Sequence, residues 1–152
     1  MPTQISQEWP DEISVDVVTP LTVLRTLASS LEQKTKGILR AEIVHSHLRE
    51  DLVQLSFDIV APAVGHYRHQ LLIAQHHPEL VYPVDLTGDF LDDSINGQGY
   101  YRYTQTLSTQ QQLEKALMES IRSPNTLAVI NSLIARSSEV GEAQVGSITQ
   151  SN

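Results

Sequence analysis

The sequence predicts an α+β fold: an N-terminal helix, an antiparallel meander sheet of four to five strands, and two C-terminal helices on one sheet face. Three observations carry this. Val53, Leu55, Phe57 and Ile59 alternate with Gln54, Ser56 and Asp58, the period of a strand with one face buried. Further strand-like runs flank that stretch with only short breaks between them, which suits antiparallel neighbours. Helical spacing of apolar residues appears before residue 37 and after residue 108, and not between.

The first helix begins at Thr19-Pro20. A threonine hydroxyl caps free N–H groups, and proline fits the first turn because its missing N–H has no partner there. Leu21, Leu24, Leu27, Ala28 and Leu31 then form one apolar stripe, and the helix ends near Gly37. Residues 40–48, 52–61 and 67–75 read as the first three strands. Residues 80–86 read as the fourth, with Pro83 placing it at a sheet edge or on a bulge. Residues 87–107 are the longest connection, from which residues 99–106 return as a fifth strand after Asn96-Gly97. Ser108 with Gln111 fits a capping box for the second helix, whose stripe is Leu113, Ala116, Leu117 and Ile121. Ser123-Pro124 starts the third, with Leu127, Ile130, Leu133 and Ile134 as its buried stripe.

The chain of 152 residues divides into an arm (1–18, with a short edge strand at 13–17), a single domain (19–137) and a disordered tail (138–152). The net charge of -8 and scattered Lys and Arg argue against nucleic acid. The N-terminus lacks the pattern of a signal peptide, and no apolar run approaches a membrane span, so a soluble cytoplasmic protein is expected. Cysteine is absent, which removes disulfides, thiolate catalysis and thiolate zinc sites together.

All six histidines fall between residues 45 and 77. His45 and His47 share one strand face, a spacing that can chelate a metal, and His69 is the candidate third ligand. A meander, however, places the second strand between His69 and the other two. Asp58 is positioned to meet Arg68 or His69 across a strand pair, a contact that is ordinarily structural. The acidic stretch 89–97 fails the calcium-loop spacing, and neither a nucleophile elbow nor a phosphate-cradling glycine loop is present. Tyr100, Tyr101 and Tyr103 form either a contact surface or a core-packed strand, and Trp9 is either packed on the domain edge or an anchor for a partner.

These features favour a protein-interaction module without a cofactor: an adaptor, a chaperone or an immunity-type inhibitor, self-associating or binding another protein. One alternative is a metal-dependent enzyme using the sheet histidines. The other is a small-ligand or pH-responsive domain, because histidines titrate near neutral pH. The first strand carries neither proline nor lysine, so its edge should be covered within the chain or used in strand addition.

Overall fold

The computed structural model describes residues 8–13, 15–92 and 99–150, with side chains described through residue 141. It has an N-terminal helix, one five-stranded antiparallel sheet in the order β1-β2-β3-β4-β5, and two C-terminal helices. The elements are α1 (Pro20–Lys34), β1 (Arg40–Arg49), β2 (Leu52–Ala61), β3 (Tyr67–His76), β4 (Val84–Asp92), β5 (Gly99–Leu107), α2 (Gln110–Ile121) and α3 (Pro124–Gln150).

Local chemistry sets the helix ends. Thr19 accepts from the Thr22 N–H at 3.2 Å to start α1. At the other end Lys36 and Gly37 take positive φ values of 53° and 79°, and the Gly37 N–H returns to the Glu32 carbonyl at 2.9 Å. That left-handed turn closes the carbonyls an α-helix leaves free. The α2 cap is Thr109 rather than Ser108: Thr109 Oγ1 accepts from the Gln112 N–H, and Gln112 Oε1 accepts from the Ser108 N–H at 2.7 Å. The pattern is a variant of the capping box, in which the Gln112 side chain reaches back to the N–H of the residue before the cap rather than that of the cap itself. Ser123, fully buried, caps α3 through the Thr126 N–H.

Residues Val53, Leu55, Phe57, Ile59 and Ala61 of β2 face the helices and are all buried. A bulge opposite Phe57 and Asp58 inserts one extra residue into β3. It turns both Leu71 and Leu72 inward, although neighbours on a regular strand would point to opposite faces. α1 lays Val23 and Leu24 into this core, and α2 adds Leu113, Ala116 and Leu117. Leu127, expected in the α3 stripe, is 47% exposed, while Leu133 is buried.

Two elements depart from the sequence reading. The fourth strand is neither at 80–86 nor at an edge: β4 starts after Pro83, runs to Asp92, and lies between β3 and β5. Pro83 has no N–H to donate, so pairing begins beyond it, at Val84 opposite Leu107. Much of the stretch read as a long connection is therefore strand, with Leu86, Gly88 and Phe90 buried in alternation. Secondly, α3 continues through residues 138–150, assigned above to a disordered tail. No proline follows Pro124, and extending a formed helix fixes one residue per hydrogen bond gained. Described residues between 8 and 19 form no strand, so the expected edge strand is absent at Ile13 and residues 15–17, and Ser14 lies outside the described residues.

Candidate interaction edge

β1 is one edge of the sheet, a ten-residue strand. Its pairing with β2 runs from Arg40 opposite Val60 to His47 opposite Val53, then shifts at Arg49. The sheet order gives β1 a neighbour on one side only, so its other row of backbone N–H and C=O groups is unpaired among the described strands. On the helix-facing side Ala41 and Ile43 are half-buried against the core, whereas His45 and His47 beyond them are exposed. On the opposite side Val44 is 46% and Leu48 50% exposed. Two apolar side chains thus stand beside an unpaired ladder.

The open face next to β1 carries a polar network. Glu42 and Asp58 are cross-strand partners, two carboxylates opposite each other. Like charges in that position repel, and Arg68 of β3 bridges them. Its Nη1 donates to Asp58 Oδ2 at 3.0 Å, and its Nη2 donates to Glu42 Oε2 in a close ion pair. The Glu42 hydrogen bond, then that to Asp58, raises the Arg68 pKa above its ordinary value. Ser56 Oγ donates to Asp58 Oδ1 at 2.6 Å, and Gln70 Nε2 donates to Ser56 Oγ at 2.9 Å. Asp58 is buried beneath these side chains, on the sheet face turned away from the helix-packed core. The expected contact of Asp58 across the pair is therefore with Arg68. His69 sits opposite Ile59, on the helix-facing side.

The histidines divide. The rings of His45 and His47 lie 5.2 Å apart at the far end of β1. His47 is opposite Val53, and His69 opposite Ile59. Six residue steps of β2 separate the two positions, about 20 Å at the rise of a strand. The structure does not bring His69 to the other two, and no group of three or more His, Asp or Glu that could hold a metal occurs among the described residues.

The tyrosines divide as well. Tyr100 is opposite Leu91 on the open face, and Tyr101 is opposite Phe90 on the other. Tyr103 packs edge-on against Phe90, centroids 5.3 Å apart, and its hydroxyl donates to the Leu91 carbonyl at 3.0 Å. Tyr103 is thus part of the packed domain, while Tyr101 is 45% exposed. Trp9 lies at a bend, 73% exposed, and does not pack on the domain edge. The arm is tied down at its end, where Tyr82 Oη donates to the Val18 carbonyl at 2.8 Å.

Compared with known proteins, the chain matches no family model, no curated protein and no solved structure. No described helix is long and apolar enough to cross a membrane.

Proposed function

We propose that this chain is a protein-interaction module whose β1 edge accepts an extended strand from a second protein chain, a second copy of itself being the first partner to test. The observation that supports this is a long edge strand without proline or lysine, in unbroken register from Arg40 to His47 and carrying exposed Val44 and Leu48, the latter at the register shift that ends it. Soluble proteins ordinarily blunt such an edge with one of those residues, a bulge or a covering segment. Strand addition draws affinity from the backbone ladder and specificity from alternate side chains, and β1 offers both. Arg49 at one end is ion-paired to Asp51, which leaves Arg40 at the other as the end that favours an acidic residue on an added strand.

Hydrogen exchange of the β1 amides across the micromolar to millimolar range tests self-pairing, with sedimentation as the second readout. The outward-pointing amides gain protection as a dimer forms. A Val44→Lys, Leu48→Lys double variant remains folded and monomeric. Self-pairing is refuted if those amides exchange freely at every concentration and the wild type sediments as a monomer throughout. A panel of extended peptides with an acidic end then tests addition of a foreign strand, and failure to protect the same amides sinks the reading altogether.

A further inference from the structure

Away from the edge, a cavity of about 140 Å³ lies between α1 and the sheet. Leu27 and Leu31 of α1 form one wall, Phe57 and Ile59 of β2 the floor, and Ile121 and Ile130 the far wall. The space opens to solvent on one side, but its floor and walls are apolar and offer water few hydrogen-bond partners. An engineered Leu/Ile/Phe-lined void of about 150 Å³ takes up benzene, so the space here suits a body of roughly one aromatic ring.

Two polar side chains line the same cavity, Ser30 and Lys34, one turn apart on α1. Ser30 is half-buried and Lys34 exposed, so they form its rim. Lys34 makes no ion pair among the described residues, whereas the guanidinium of Arg68 is held between two carboxylates. Nor is the ammonium needed to close the helix end. The Leu31 carbonyl already accepts from the Thr35 N–H and hydroxyl, and the Glu32 and Gln33 carbonyls accept from Gly37 and Lys36. An apolar pocket thus opens beside a hydroxyl donor and a cation whose charge meets the C-terminal end of the α1 dipole but no carboxylate among the described residues.

The geometry points to a binding site for a small carboxylate with an apolar body about one ring in size. The body fills the void, and the carboxylate meets Lys34 with the Ser30 hydroxyl beside it. A neutral or cationic head on the same body forgoes that pairing.

The test uses phenylacetate, 2-phenylethanol and phenethylamine, one ring with three heads, each titrated into the full chain and followed by methyl NMR of Leu27, Leu31, Ile59, Ile121 and Ile130. Phenylacetate shifts these methyls saturably and binds about threefold to fivefold tighter than the alcohol, the gain an exposed ion pair supplies. The amine binds weakest. Lys34→Met brings phenylacetate down to the affinity of the alcohol and leaves the alcohol unchanged. The site is refuted if none of the three ligands shifts the cavity methyls. It is equally refuted if head group makes no difference, or if Lys34→Met leaves the preference intact. None of these outcomes depends on pairing at β1, which lies outside the cavity.

Discussion

The two edges of the sheet, β1 and β5, are alike in length and in lacking proline, yet their side chains are engaged very differently. On β5 the side chains are bonded into the domain. Arg102 reaches over β4 to the Leu71 carbonyl at 3.1 Å, Thr104 meets Thr87, Tyr103 holds the Leu91 carbonyl, and Thr106 donates to Asp85. On β1 the ion pair of Glu42 with Arg68 crosses the sheet, while Val44 and Leu48 stand exposed. Side-chain bonds on an edge fix it to its own sheet. An edge with few of them retains its surface for another chain, so the contrast concerns what each strand can still bind.

Behind β5, β4 is closely packed at Gly88. A Cβ on Gly88 of β4 would lie 2.5 Å from Leu72 Cδ2 and 3.0 Å from Ser120 Oγ. Gly88→Ala therefore forces those neighbours apart and should cost about 1–3 kcal/mol in denaturant unfolding. Ser46→Ala on β1 should stay within about 0.5 kcal/mol. If the two variants cost the same, the asymmetry between the two sides of the sheet is not real.

Hydrogen bonding sharpens the comparison at smaller amplitude. Tyr103→Phe removes the donor to the Leu91 carbonyl and the acceptor of Gln105 Nε2. The expected loss is about 1 kcal/mol with the core packing of the ring retained. A neutral result would show that the Tyr103 hydroxyl adds nothing to the hold on β5.

Tyr82 offers a pH readout. Burial first, then the Glu114 carboxylate, raises its phenol above the ordinary value. The folded state thus favours the protonated form. The associated stability is fully present below the unfolded pKa, about 10, and is lost as pH rises through the folded one. Unfolding midpoints measured from pH 8 to 11 should fall less steeply for Tyr82→Phe than for the wild type. The variant also releases the Val18 carbonyl, so exchange of the α1 N-terminal amides should quicken at neutral pH. Parallel pH curves would show that Tyr82 does not couple the arm to alkaline stability.

The smallest effect is expected at Ser120. Its hydroxyl is buried and has no hydrogen-bond partner among the described residues, beside the space that Gly88 leaves open. Ser120→Ala should be neutral or stabilising by up to about 1 kcal/mol, since it removes an unsatisfied polar group. A clear loss of stability in the same unfolding assay would reveal a bond to that hydroxyl.

By itself the sequence determined the class of the fold, the caps of α1 and α3, and the bounds of β2, because each rests on neighbours in the chain. Thr19-Pro20, Ser123-Pro124 and the alternation of residues 53–59 are local signals, and local backbone geometry answers to them. The same alternation continues through Val84, Leu86, Gly88 and Phe90, but a glycine at an inward position conceals it. Only the approach of Leu72 and Ser120 explains why that position must be small. The histidines illustrate the other limit. That His45 and His47 share a face follows from a period of two, whereas their distance from His69 depends on strand order and register. The bridge from Arg68 to Glu42 and Asp58, and the cavity beside Lys34, likewise join residues from separate elements. Tertiary structure decided these because contacts across strands and layers are set by packing of the whole core, which no local pattern encodes.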